Sequence, residues 1–251
     1  MTREELHRIA EAVGERSGWD FSRVRDDRDP VPWDYPEVVR RYLRADHRVL
    51  DVGTGGGERF LGLAPHFGTG LGVDPSEDMM ATARANTPAS LAGKVAFARM
   101  RAEQLALAPA SFDVVLNRHA PLCPAEIVRV LRSGGIFITQ QVGPRNTENI
   151  RRVFGCGPGG EYDSASEPDL WQLRDRLRHL GCELEAWAEY NVTYRFRDVE
   201  SFVFWLKAIP MPEDFSVDRH WEQVAHIIAT CSGPGGITTN EHRQLLVARK
   251  D

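Results

Sequence analysis

Val49-Leu50-Asp51-Val52-Gly53-Thr54-Gly55-Gly56-Gly57 is an apolar strand that runs straight into a glycine-rich turn and a helix start. Glycines let the backbone pass close to a ligand, and the free amides of a helix N-terminus suit an anionic group. Downstream, Leu71-Gly72-Val73 ends in Asp74-Pro75-Ser76, an acid at the tip of the next strand. Alone, Asp74 would read as a helix cap; paired with the upstream turn, its natural role is to accept the two hydroxyls of a ribose. A dinucleotide-binding turn spells Gly-x-Gly-x-x-Gly, but counting from Gly53 the third glycine place holds Glu58. A carboxylate there repels a diphosphate and tolerates a zwitterionic amino-acid tail.

Outward from this stretch, from His47 onward, apolar strand runs alternate with helical patterns. The strand candidates are 48–52, 69–73, 95–99, 112–116 and 135–141, and helices are expected from about Gly57, Glu77, Pro124 and Glu167. That alternation predicts an α/β fold: a doubly wound, seven-stranded Rossmann-like sheet, mostly parallel, with helices on both faces. Further strands at 183–194 and 243–248 predict a C-terminal antiparallel hairpin, with helical patterns at 199–208 and 218–230 inserted between them. Upstream, Thr2 and Glu5 form a capping-box pattern ahead of Leu6, Ile9, Ala10 and Val13, predicting an opening helix that ends near Gly18. The chain is thus expected to be one domain, with a helical cap segment at 1–46, core sheet at 47–194 and 242–249, and a helical insertion at 195–241. The insertion reads as a cap or dimerisation element, and its stripe of Phe202, Trp205 and Leu206 as packing.

Bulk properties set limits on function. Acidic residues outnumber basic ones, 36 to 31, for a formal charge of −5, so no basic field attracts a nucleic-acid backbone. No apolar run approaches the roughly 20 residues of a membrane span, and the charged N-terminal stretch does not read as a secretory signal; a cytoplasmic location is expected. Cys123, Cys156, Cys182 and Cys231 are widely spaced, without a metal-ligand pattern, and read as reduced thiols.

The motif order Asp51-x-Gly53-x-Gly55-x-Gly57, then Asp74, resembles the first two motifs of class I S-adenosylmethionine-dependent methyltransferases. Ala102-Glu103-Gln104-Leu105 resembles the family's segment bordering adenine, Ser111-Phe112-Asp113-Val114-Val115 its fourth strand, and Arg129 to Gly135 its turn into the fifth. The likeness covers about 47–142. It implies S-adenosyl-L-methionine as cofactor, held by Asp51, Gly53, Thr54, Gly55, Gly57, Asp74, Pro75, Met79, Ala102, Glu103, Asn117 and Arg118, with no metal. Where the family usually carries an acid that bonds the adenine amino group, this sequence has Arg101, which shifts that contact to backbone groups or Glu103. The implied chemistry is direct displacement of a methyl group, in which the protein mainly aligns the reactants and excludes water.

His119, just past the fourth strand, is the candidate general base, needed only for a weakly acidic hydroxyl acceptor; a polar contact or cofactor neighbour is the competing reading. Trp33 and Tyr35 are candidates to cover the cofactor from the N-terminal side and to border the substrate. Gln140 and Gln141 are candidates to orient the acceptor or the cofactor, and strand alternation lets only one of them face the pocket. The leading function is methyl transfer to a small-molecule substrate. The alternatives are a binding protein without methyl transfer (a scaffold-type cyclase or regulatory module), an RNA or protein methyltransferase, and a nicotinamide-dependent oxidoreductase.

Overall fold

The computed structural model describes residues 1–15, 21–157, 160–166, 169–209 and 211–251. In chain order the elements are α1 (Arg3–Val13), β1 (Asp26–Arg28), α2 (Tyr35–Arg40), β2 (Arg48–Val52), α3 (Glu58–Leu63), β3 (Thr69–Asp74), α4 (Glu77–Asn86), β4 (Val95–Arg99) and β5 (Phe112–Arg118). They continue with α5 (Pro124–Val130), β6 (Leu131–Val142), α6 (Glu148–Phe154), α7 (Leu170–His179), β7 (Cys182–Phe196), α8 (Val199–Ala208), α9 (Val217–Cys231), β8 (Ser232–Gly233) and β9 (Gly236–Lys250). Contacts gather these into two compact units, one of Met1–Val31, Pro144–Glu167 and Tyr190–His242, the other of Pro32–Gly143, Pro168–Glu189 and Arg243–Asp251. The long strands β7 and β9 contribute residues to both.

In the smaller unit the Thr2 and Glu5 capping box forms, each side chain bonded to the other's backbone amide. α1 stops at Val13, earlier than the sequence pattern implied, because Gly14 turns to φ +67° and closes the helix; Gly18 lies outside the described residues. Lys207 Nζ then donates to the carbonyls of Ala10 and Gly14 at 2.8 and 2.9 Å, satisfying acceptors a helix end leaves open. Leu6, Ile150, Phe196, Phe202, Leu206, Val224 and Ile227 form its apolar core. The Phe202 and Trp205 rings pack on Phe196, so that stripe does bury itself as packing. Helix α6 has no counterpart in the sequence reading: it is seven residues long, and its N-cap, Thr147, sits at φ +50° without a side-chain cap.

The larger unit holds the sheet that positions the site, in the order β7-β9-β6-β5-β2-β3-β4. Strands β2, β3, β4, β5 and β6 pair in parallel and β9 runs antiparallel to β6. A central strand of such a sheet is buried on both faces and needs apolar residues at successive positions; Val49, Leu50 and Val52 meet that need in β2. One face packs α2 and α3 through Val38, Val39, Phe60 and Leu63; the other packs α5 and α7 through Ile127, Val130, Leu173 and Leu177. β2 and β4 span the expected residues. β5, β6, β7 and β9 extend past them, since strand pairing continues through polar residues that hydropathy alone does not mark. α7 begins at Leu170; Glu167, where a helix start was expected, lies outside the described residues. The order reverses between β2 and β5, and at such a switch point a ligand crevice opens beyond the carboxyl ends of the strands.

Asp113 fastens the opposite, amino-terminal end of these strands. Its carboxylate accepts from the Arg48 backbone amide at 2.6 Å and from Arg132 Nε. Burial alone would raise its pKa, but those two bonds prevail and hold it below the usual carboxylate range. A depressed folded pKa stabilises the fold above the unfolded pKa, and that stability is lost as pH falls through the folded one. Asp113→Asn is therefore expected to lower stability at pH 7 by about 1 to 3 kcal/mol, the worth of hydrogen bonds to a charged group. The difference from the wild type should shrink as pH falls below about 4. Urea unfolding of both proteins across that range checks it.

Candidate cofactor and acceptor site

The glycine turn follows β2 with Gly53, Gly55 and Gly57 all at positive φ, +78°, +57° and +77°, a conformation side-chain-bearing residues rarely adopt. Space is short as well. A Cβ on Gly53 would collide with the Ala120 methyl, and one on Gly57 would come within 2.7 Å of the Phe97 ring. The turn is anchored from β3: the Gly53 and Thr54 amides donate to the Val73 carbonyl at 2.8 and 3.0 Å. Asp74 is held on both oxygens, by the Gly55 amide at 3.1 Å and the Ser76 amide at 3.0 Å. Each carboxylate oxygen has two acceptor positions, so one on each stays open for a diol. Glu58 folds its carboxylate over Gly56, and Asn86 donates to both at 3.2 and 2.9 Å. A carboxylate therefore lies against the turn. Asp51, at the tip of β2, is pushed up to about 6 by burial, with Asp74 acting in the same direction and Arg118 opposing it.

Along β3 and β4 the carboxyl ends border a cavity of about 220 Å³ lined by Pro75, Arg99, Met100, Arg101 and Gln104. Arg99 Nε donates to the Pro75 carbonyl at 2.9 Å, tying the two strand tips together. Ala102 turns its methyl into the core. Glu103 stands exposed, 3.7 Å from the more exposed Arg101, so its carboxylate is not gathered to the turn as Asp74 is. Sequence reading passed over what holds this segment, the α5 pair Glu126 and Arg129. Glu126 accepts from the Leu105 amide at 2.8 Å, while Arg129 donates to the carbonyls of Leu105 and Leu107 and to Glu126 itself. The only sequence signal was an acid and a base three apart on a helix. Met79 contributes its amide to the Ser76 hydroxyl, the cap of α4.

Two side-chain sets form at the carboxyl ends of β5 and β6, on opposite faces. On one, buried Asn117 donates to the Val52 and Pro121 carbonyls at 3.0 and 3.2 Å and accepts from Thr139 and Gln141. On the other, Gln140 lies between Trp33 and His119: the Trp33 indole donates to its Oε1 at 2.9 Å, and its Nε2 is 3.1 Å from His119 Nε2. His119 has φ +53°, and its amide donates to the Gln140 carbonyl at 2.9 Å. Burial, with the positive charges of Arg118, Arg243 and Arg59, drives its pKa well below the ordinary imidazole value. Tyr35 is buried, its hydroxyl 3.4 Å from the carbonyls of Asn117 and Ile138, and the Arg118 guanidinium lies over its ring at 6.0 Å. Burial, then the nearby Asp51 charge, raises the pKa of that hydroxyl. The four residues proposed for the acceptor side thus fall in three places, with Trp33 and Gln140 joined to His119, Gln141 joined to Asn117, and Tyr35 between strand carbonyls.

A parallel sheet with a reversed order, a glycine turn without room for side chains and an acid at the neighbouring strand tip define a Rossmann-like fold. Residues 50–139 match the family model described as a methyltransferase domain. The chain is 32% identical over 102 residues to the uncharacterized methyltransferase YcgJ of Bacillus subtilis, covering 38% of this chain and 40% of that protein. It is 36% identical over 123 residues to the phthiotriol/phenolphthiotriol dimycocerosates methyltransferase of Mycobacterium leprae, covering 45% and 44%. The chain thus spans less than half the length of these curated relatives. The crystal structure of the Bacillus YcgJ protein matches with a TM-score of 0.65 at 20% identity, over 86% of this chain and 97% of that one. The 4+2 cyclase SpnF matches at 0.55 and 20%, over 86% and 80%. At such identities the structural likeness shows the fold.

The residues fit the cofactor of this class, S-adenosylmethionine. The turn has no room for side chains, Asp74 keeps acceptor capacity for a ribose, and Glu58 suits an ammonium-bearing tail better than a diphosphate. Asp74→Ala is expected to weaken S-adenosylmethionine binding roughly 10- to 100-fold, from the loss of charged hydrogen bonds of about 1.5 to 3 kcal/mol. Calorimetric titration of the folded variant checks it, and unchanged affinity would remove Asp74 from the site.

Proposed function

We propose that the chain is an S-adenosylmethionine-dependent methyltransferase that acts on a small-molecule acceptor by direct displacement. The observation that carries this reading is the lock between the glycine turn and Asp74, which prepares a ribose site beside a turn hostile to diphosphate. The small-molecule acceptor draws support from the net charge of −5, which offers no field to a nucleic acid. The Mycobacterium leprae relative, named for phthiotriol and phenolphthiotriol dimycocerosates, lends support as well. No helix among the described residues is long and apolar enough to cross a membrane. Our reading includes a cytoplasmic location and self-association through the 195–241 segment.

When bound, the cofactor supplies an electrophilic methyl group on a sulfonium. The chain's part is to hold and to align. Asp74 would take the ribose hydroxyls, the Gly53 to Gly57 backbone would bound the amino-acid tail, and Ala102 with the Arg101 to Gln104 backbone would border adenine. Asn117 and Arg118 would border the cofactor, while His119 and Gln140 would face the acceptor side. Such positioning can account for about 7 to 11 kcal/mol of barrier reduction where reactants meet in line.

We expect saturable, micromolar-range binding of S-adenosylmethionine and its demethylated product, and none of NAD or NADP. Calorimetry showing the reverse preference would overturn the proposal. Transfer of labelled methyl from S-adenosylmethionine to a panel of small carboxylic acids, phenols and lipid alcohols then separates a methyltransferase from a protein that only binds the cofactor.

A further inference from the structure

We infer that Trp33 and Gln140 are positioning residues that fix His119 as the Nδ1–H tautomer, making it a hydrogen-bond donor to a bound molecule rather than a base. An indole N–H can only donate, so the Gln140 atom 2.9 Å from Trp33 Nε1 has to be the amide oxygen. The other end of Gln140 is then its NH2, which can only donate, and it lies 3.1 Å from His119 Nε2. Nε2 must accept, and in a neutral imidazole the proton then sits on Nδ1. Among the described residues Nδ1 has no hydrogen-bond partner.

Three further observations hold the ring in that state. The His119 amide is bonded to the Gln140 carbonyl, so backbone and side chain of one glutamine grip the same histidine. Gln140 is only 4% exposed, which keeps water from substituting for either partner. Burial and the three surrounding guanidinium groups disfavour a second proton on the ring. The ring therefore offers N–H to an oxygen or nitrogen lone pair but no lone pair of its own. Resting on the proposed function, this means the acceptor reaches the site already nucleophilic, as an anion or a free lone pair, since His119 can orient the attacking atom and not deprotonate it.

Two-bond proton–nitrogen correlation spectra of the full chain with 15N-labelled histidine read the tautomer directly, and His119→Asn assigns the signals by their loss. The expected result at neutral pH is a protonated Nδ1 and a bare Nε2. A protonated Nε2 in the wild type overturns the proposal, whatever the variants do. Gln140→Glu replaces the donor with a carboxylate, so Nε2 should gain a proton and the ring's ionisation should rise by at least about one pH unit, as beside an opposite charge. Trp33→Phe should release the amide to flip and erase the tautomer preference. A folded Trp33→Phe protein that keeps the wild-type tautomer also overturns it. These readouts need neither cofactor nor acceptor, so they stand apart from failure of the methyltransferase reading, which the cofactor titration reports.

Discussion

The hydrogen bonds of Asn117 hold the switch point on which the larger unit depends. The side chain is fully buried, and its two N–H groups reach the end of β2 and the loop beyond β5, while its oxygen is shared by Thr139 and Gln141 from β6. Three neighbouring strand ends are thus set by one amide. Parallel strands leave their terminal carbonyls without ladder partners, and an unsatisfied buried carbonyl costs about 1 to 3 kcal/mol. Asn117 meets that need for Val52 at the very point where the chain must leave the ladder to form the glycine turn. The turn, Asp74 and the His119 set are all placed relative to the strand ends it fixes.

Much of this was legible in the sequence because it follows from hydropathy and glycine. The five parallel strands announce themselves as apolar runs, and the turn at Gly53 to Gly57 as glycines where positive φ is needed. α1 showed its start through a capping box but not its end, since Gly14 and Gly18 are equal as letters and only φ at Gly14 tells which one closes the helix. α6 was invisible: seven residues make too short a pattern, and its cap, Thr147, uses a conformation that Thr seldom takes. The long arms of β7 and β9 carry polar residues whose strand character comes from their neighbours in the sheet.

The site was legible by residue type and much less by partnership. Alternation says that Gln140 and Gln141 point opposite ways; it does not say that one meets Trp33, more than a hundred positions earlier, and the other Asn117. Register decides that, pairing Arg118 with Gln140 and Asn117 with Thr139 across β5 and β6. Glu126 and Arg129 illustrate the same limit. As letters they are an ordinary helix-surface pair, and only the path of the segment from Ala102 to Leu107 turns them into its clamp.

The close approach of Gly53 and Ala120 carries a consequence of another kind. These residues, far apart in the chain, share a space that admits one methyl group and no more. Under the proposed function, the donor side and the acceptor side would meet at that methyl, so neither could be enlarged independently. A bulkier residue at 120 would press on the turn and, under the proposed function, would change cofactor affinity even if chosen only to reshape the acceptor side. Redesign of substrate choice would then have to leave this one contact as it is and work outward from it.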